Sequence, residues 1–336
     1  MDLAERKARI LYGQHLTAPA DFLTVCRDLN GVQAQFSSAA MHNLSIRTAG
    51  GVAEEKLVKS WTLRGTVHLF GPADLPLYLH EGRTHCLRAV DQMAEDGYIT
   101  RSRKRYFADL ILERLGEGPQ LREELKSACF AAGMTGEESK SVFDPWGGPL
   151  RYLAETGQIT HAAGEDKAFR LCQPFEPMAE KPARAEMARR YFAMGPATIK
   201  DAAYFFGRPQ REVKQWMEGL PLSQAPVDGR ECFWLEDGET DWPEIPECLF
   251  LGNFDQLMLG YEKNENPFLP PEHLRGIFNL SGIVMAPILL RGAVAGRWKR
   301  SGKKLLLTPF GHWTEEDKRT VRGAAARFGD LTPTVE

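Results

Sequence analysis

The chain has 336 residues, 43% of them hydrophobic and 26% charged, with a net charge of −3. That is enough apolar content for a sizeable core, and more length than one compact domain usually holds. No apolar run approaches the roughly 20 residues that span a bilayer, the charged start Met1-Asp2-Leu3-Ala4-Glu5-Arg6-Lys7 lacks a signal-peptide core, and the acidic balance weighs against coating nucleic acid by bulk charge.

The expected setting is therefore the cytoplasm, away from membranes. Cys26, Cys86, Cys129, Cys172, Cys232 and Cys248 form no Cys-x-x-Cys pair, so neither a zinc ribbon nor a thioredoxin-type site is indicated. Several sit in apolar company and read as buried thiols.

From the N-terminus, residues 3–14 and 20–29 read as helices. Gly31 stands where a helix can end on a C′ glycine. Past it come Gln33 and Gln35, separated by Ala34. Residues i and i+2 diverge on a helix but share a face in extended backbone. The pair is either a solvated loop or two amides aimed at one place. Each amide offers two donors and an acceptor, and neither ionises. Such a pair can hold a water or polar ligand without being a strong base.

Residues 62–70 read as a strand, with Leu63, Gly65, Val67 and Leu69 alternating against Arg64, Thr66, His68 and Phe70. Gly71-Pro72 breaks it, and a helix opens at Ala73-Asp74-Leu75. His80 and His85 resemble a zinc-protease pair, but they stand five apart, about 140° around a helix, and a shared metal needs four. Arg101-Ser102-Arg103-Lys104-Arg105 is a basic cluster, either solvated or facing phosphate.

The middle of the chain repeats itself. A helix ends near Leu115-Gly116-Glu117-Gly118-Pro119, and another begins at Leu121. A third is expected over 143–155, then strands at 158–161 and 168–171 joined through Gly164-Glu165-Asp166. The pattern returns with Phe192-Ala193-Met194-Gly195-Pro196, a helix from Ile199, a third helix at 209–217 and strands at 222–225 and 232–235. The Asp228-Gly229 step is a hairpin signal. Three helices and a hairpin make a winged helix, a variant of helix-turn-helix. The N-terminal region fits loosely as a third copy.

Asp237, Glu239 and Asp241 form an acidic loop without the glycine of a calcium loop. Trp242-Pro243-Glu244-Ile245-Pro246 reads as a linker. Beyond it, strands are expected at 249–252, 282–290, 292–298 and 304–308, the last two pairing across Ser301-Gly302. Residues 315–328 read as a helix, with Thr314 as cap and Asp317 reaching back to it. Arg297, Lys299, Arg300 and Lys303 make the turn of that hairpin strongly basic, again solvated or facing phosphate. The expected architecture is α+β: winged-helix modules at 1–104, 105–180 and 181–241, and a β-rich domain at 242–336.

Three stretches together, Gly31-Val32-Gln33-Ala34-Gln35, Arg64-Gly65-Thr66-Val67-His68-Leu69 and Asn253-Phe254-Asp255-Gln256-Leu257-Met258-Leu259, resemble the AlkZ-like DNA glycosylases. This is a winged-helix family first described as a domain of unknown function. The resemblance runs in order over nearly the whole chain. It implies tandem winged helices with a C-terminal β-barrel-like domain, arranged as a C-shaped clamp on duplex DNA. It also implies excision of alkylated purines and, in some members, unhooking of interstrand cross-links. The family's catalytic Gln-x-Gln falls on Gln33 and Gln35. A second branch has aspartate at the second position, so this chain looks like the first branch.

Glycosidic cleavage passes through an oxocarbenium-like state, and a carboxylate usually assists it. Two neutral amides only position water. That suffices when the leaving base already carries a positive charge, as N7- and N3-alkylated purines do. The expectation is a monofunctional glycosylase acting on cationic purine adducts in double-stranded DNA, with no cofactor, no metal and a monomeric state. Arg64, Thr66, His68, Arg297, Lys299, Arg300 and Lys303 are the candidate DNA contacts. Arg64 meets either a phosphate or a carboxylate; His68 meets a phosphate or the lesion, or is a strand histidine bonded to backbone. The alternatives are a non-catalytic winged-helix regulator and a protein-binding scaffold.

Overall fold

The computed structural model describes residues 1–83, 91–145, 147–162, 168–236, 238, 241–329 and 331–335. The expected turn at 164–166, together with His85, Cys86, Asp237 and Glu239, lies outside the described residues. The chain is mixed α+β and divides into two compact units, Ala53–Arg184 and the pair of segments Met1–Val52 and Ala185–Glu336.

The Ala53–Arg184 unit is built around a sheet in which Val67–Phe70, Val58–Trp61, Ile159–His161, Ala168–Leu171 and Gln120–Leu121 follow one another as neighbours. Val58–Trp61 and Val67–Phe70 pair antiparallel, with Ser60 opposite His68. The expected single strand over 62–70 is corrected here. Leu63–Gly65 is a 3-10 turn in which Arg64 and Gly65 both have positive φ, and the strand starts only at Val67. Alternation in a short window does not reveal a turn that reverses the chain within three residues.

Among the described residues, the longer helices of this unit are Arg101–Gly116, Arg122–Ala131, Gly136–Val142 and Gly148–Glu155, with a short one at Leu75–Tyr78 near the helix start expected at Ala73-Asp74-Leu75. Thr100 caps Arg101–Gly116. The helix expected over 143–155 starts five residues late. Gly136–Val142 forms a separate helix with a Thr135–Glu138 capping box, and the next begins only at Gly148, whose φ is +70°. Pro145 and Gly147 lie in the gap, where proline and glycine disfavour helix. Phe107, Ile111, Leu125, Cys129, Leu150, Leu153 and Phe169 fill the core.

The other unit begins with helices Leu3–Gly13 and Phe22–Asp28, capped by Asp2 and Asp21. Ser37–Ser45 comes next, a helix absent from the sequence expectation. From Ala185 onward the unit contains the rest of the Glu180–Ala193 helix, then Ile199–Phe206 and Gln210–Met217, then the hairpin Leu222–Val227 with Arg230–Leu235. Asp228 and Gly229 turn that hairpin with φ of +52° and +72°, as two-residue turns require.

A five-stranded sheet closes the chain, in the order Thr332–Val335, Lys304–Pro309, Ala293–Ser301, Pro287–Leu290, Cys248–Phe250. The strand expected over 282–290 forms only at its end, and a strand not anticipated, Thr332–Val335, adds in parallel to Lys304–Pro309. Glu315–Ala325 covers the sheet through Val321 and Ala325, against Phe250, Ile288, Leu305 and Leu307. Its Thr314–Asp317 capping box forms as expected. The stretch around Trp242 and Ile245 has no regular structure, yet Trp242 stacks edge-on against Tyr12 at 5.1 Å. Arg6 and Asp201, both buried, approach to 3.5 Å and tie the first helix to Ile199–Phe206.

Candidate functional site

The Phe22–Asp28 helix ends in a Schellman arrangement. The Asn30 N–H donates to Arg27 O at 3.1 Å and the Gly31 N–H to Cys26 O at 2.8 Å. Asn30, at φ +56°, takes the C′ place expected of Gly31, and Gly31 comes after it at φ +80°. Asn30 is fully buried and its Nδ2 donates to Met187 O at 3.0 Å. This anchored reversal feeds Val32–Gln33 as extended backbone. Gln33 is buried, at 6% exposure, and Ala34 is buried beside it, whereas Gln35 is exposed. The two amides thus differ in access: one is inside and one at the surface.

Residues 36–47, directly after Gln35, lock this segment to the third family stretch. Phe36 precedes the Ser37–Ser45 helix, and its ring meets Phe254 edge-on at 5.6 Å. Asn43 donates through Nδ2 to Asn253 O at 3.1 Å and accepts from the Gly252 N–H at 2.7 Å. A Cβ on Gly252 would lie 2.7 Å from Asn43 Oδ1, so close approach requires glycine here. Arg47 makes a bidentate pair with Asp255, 2.8 Å on each arm, both side chains fully buried. Arg47 Nε also donates to Gln14 O at 3.0 Å. Asp255 in turn caps Gln256–Leu259 through Leu257 N.

His42 lies on the same helix, with Nε2 2.8 Å from Phe250 O. Its ring stacks on Phe328 and meets Trp298 at 5.2 Å, on the strand that carries the basic residues. None of His42, Asn43 and Arg47 was anticipated from sequence. One signal was legible: Ser37-Ser38 ahead of Ala40 and Leu44, a cap composition before an i, i+4 apolar pair. The partners of Asn43 and Arg47 lie about two hundred residues away, and no local pattern names them.

Arg64, at φ +56°, and Thr66 sit half-exposed in the turn between the paired strands. His68 is buried. Its Nδ1 lies 3.1 Å from Thr66 O and 2.9 Å from Thr62 Oγ1. A carbonyl only accepts, so Nδ1 carries the proton. Burial, and then the Arg64 charge, hold the His68 pKa down at about 3. A ring neutral at pH 7 brings no positive charge to a phosphate. Its bonds instead brace the turn that presents Arg64 and Thr66, which is the backbone-bonded alternative.

This burial makes stability depend on pH. Unfolded, His68 takes up a proton near pH 6.5; folded, it resists until about pH 3. Stability therefore declines as pH falls through this window, by on the order of 1 kcal/mol per pH unit from this residue. Urea denaturation of the wild type and His68→Asn at pH 7 and pH 4.5 should show a smaller acid loss in the variant. Equal losses would refute the assignment.

Among the hairpin residues, Lys299, Arg300 and Lys303 are exposed and Arg297 is half-buried, its Nη1 3.5 Å from Gly276 O. Cross-strand register places Arg297 opposite Thr308, Lys299 opposite Leu306 and Ser301 opposite Lys304, all on one face. Trp298 and Arg300 lie on the other face, opposite the core residues Leu307 and Leu305. Lys304 thus joins Arg297 and Lys299, and Arg300 does not share their direction. The Arg101–Arg105 cluster is engaged differently. Arg101 pairs with Asp91 at 2.7 Å, Arg103 with Glu138 at 2.8 Å and Lys104 with Asp96 at 2.9 Å. The Arg103 hydrogen bonds hold the Glu138 carboxyl down at about 2. For those three cations the cluster is an ion-paired surface. His80, buried, accepts from the Gly82 N–H through Nδ1 at 3.1 Å.

The family model described as DNA glycosylase AlkZ-like matches residues 26–331. The chain belongs to the AlkZ-like DNA glycosylase family, and it is a DNA glycosylase. It is 26% identical over 312 residues to the interstrand DNA cross-link repair glycosylase of Streptomyces sahachiroi, an alignment covering 84% of this chain and 83% of that one. The solved structure of the Streptomyces sahachiroi DNA glycosylase AlkZ matches with a TM-score of 0.78 at 23% identity, over the full length of both chains, which is a likeness of fold. Among the described residues no helix is long and apolar enough to cross a membrane.

Proposed function

We propose that the enzyme hydrolyses the N-glycosidic bond of purines alkylated at N7 or N3, and that Gln33 and Gln35 hold the attacking water. The observation that supports this reading is a surface amide, Gln35, two residues past a buried one, Gln33, in a segment fixed at both ends. Gln35 reaches the nucleotide; Gln33 orients the water from behind.

Amides cannot abstract a proton at neutral pH, so the substrate must supply the driving force. Alkylation at N7 or N3 places a positive charge on the purine. The C1′–N9 bond breaks with its electron pair passing to the base, which departs neutral. Water adds to the oxocarbenium-like carbon and its proton passes to solvent, leaving an abasic site. Positioning of that water is the protein's main contribution. Similarity to a glycosylase named for interstrand cross-link repair extends the proposed substrates to cross-linked nucleotides.

In this reading residues 105–180 and 181–241 are winged-helix modules, 1–104 is a third that carries the glutamines, and 242–336 is the β-rich domain. The order of helices and hairpin from Arg122–Ala131 through Ala168–Leu171, and again from Glu180–Ala193 through Arg230–Leu235, supports it. Duplex DNA contacts are assigned to Arg64 and Thr66 in one unit and, separately, to the hairpin cations Arg297, Lys299 and Lys303, with Lys304, in the other. Incubation with a duplex containing N7-methylguanine, followed by chromatography of released base, tests the activity. No release at excess enzyme would sink it.

The hairpin assignment predicts a salt effect. Removing one phosphate-binding cation should reduce the slope of log affinity against log salt by about 1. Lys299→Ala and Lys303→Ala should each show this decrement on undamaged duplex by fluorescence anisotropy. Slopes equal to wild type would remove these lysines from the interface.

A further inference from the structure

We infer that Phe36 is the surface on which the damaged base stacks, and that its ring selects a cationic adduct over a neutral one of the same shape. The inference rests on the proposed glutamine site and deepens it by naming how the substrate's charge is read.

Two departures from local rules meet at this point. Phe36 holds the N-cap position of Ser37–Ser45 with no side-chain cap, where serine, threonine, aspartate or asparagine would stabilise the helix. The ring is also 42% exposed, immediately after the exposed Gln35. Its partner Phe254 is buried and adopts φ +54°, a conformation that bulky residues rarely accept. The strain is held from three sides. The Phe254 N–H and Asn253 Nδ2 donate to Val284 O at 3.2 and 3.0 Å, and Asp255 is clamped by Arg47. Strain that surrounding structure over-determines gathers where a protein positions groups for function.

The edge-on contact with Phe254, 5.6 Å and 61° between planes, fixes the Phe36 ring while leaving it partly open. An exposed aromatic ring accepts any base by stacking. It favours a cation further, because the ring quadrupole is negative on its face. Gln35, the residue before it in the chain, is neutral and adds no competing charge. The pairing of amide and arene matches a substrate that enters positive and leaves neutral.

The test uses the full-length enzyme and three duplexes on the same uncleavable 2′-fluoroarabino sugar. One contains N7-methylguanine, which is cationic; one contains its neutral isostere 7-methyl-7-deazaguanine; one contains guanine. The wild type should bind the cationic duplex tighter than the neutral isostere. Phe36→Leu should reduce that ratio about ten-fold, and Phe36→Tyr should keep it within about two-fold. An unchanged ratio in Phe36→Leu, a ratio abolished in Phe36→Tyr, or no wild-type preference for the cation would each overturn the inference. Gln35→Ala separates the two readings. Wild-type release of N7-methylguanine by that variant would refute the glutamine site, while the binding ratios report on Phe36 independently.

Discussion

Gln35→Ala is expected to lower the single-turnover rate of N7-methylguanine release by about 10²-fold, with stability unchanged to within about 0.5 kcal/mol. Gln35 is exposed, so its truncation opens no cavity. Gln33→Ala should slow release by a similar factor but also destabilise the protein by about 1–3 kcal/mol, because a buried polar side chain is removed. If the pair acts on one water, the double variant should lose little more activity than either single one. Rapid-quench kinetics at saturating enzyme, with urea titrations of the same preparations, would measure both. A Gln35→Ala enzyme with wild-type kinetics would end the proposal.

Asp255→Ala is expected to destabilise the unit containing Met1–Val52 and Ala185–Glu336 by about 3–5 kcal/mol. The substitution leaves the Arg47 guanidinium fully buried without its carboxylate and removes the cap from Leu257 N. Arg47→Met with Asp255→Leu should recover much of the loss, since apolar replacement of a buried ion pair is often near neutral. Tryptophan fluorescence suits the measurement, because Trp298 and Trp313 pack in this unit. Activity should fall in both variants even where the chain stays folded, because the turn at Phe254 loses its clamp. A destabilisation below about 1 kcal/mol would show that the pair is not what joins the two stretches.

Where a backbone rule acts over a few residues, the fold is readable from sequence. The Thr314–Asp317 capping box, the Asp228-Gly229 hairpin turn and the pairing across Ser301-Gly302 all form as expected. The failures lie where local signals conflict or fall silent. Arg64 and Gly65 turn the chain inside an alternating pattern, Gly136–Val142 forms a helix where none was expected, and the helix expected over 143–155 starts only at Gly148. Thr332–Val335 is held by its neighbour Lys304–Pro309 and carries little signal of its own. The basic clusters show the same limit from the other side. Composition alone did not tell that acids at positions 91, 96 and 138 reach Arg101, Lys104 and Arg103.

The sequence by itself determined the α+β class, most helices and hairpins, the family and the candidate glutamines, because each of these depends on residue type and short-range spacing. Only the tertiary structure decided that Gln33 is inside and Gln35 outside, and that His68 is a neutral brace. It alone bound residues 36–47 to residues 252–255 through Phe36–Phe254, Asn43–Gly252 and Arg47–Asp255. The physical reason is range. Dihedral preferences and caps act within a turn of chain, whereas burial and charge pairing depend on partners that folding brings from two hundred residues away.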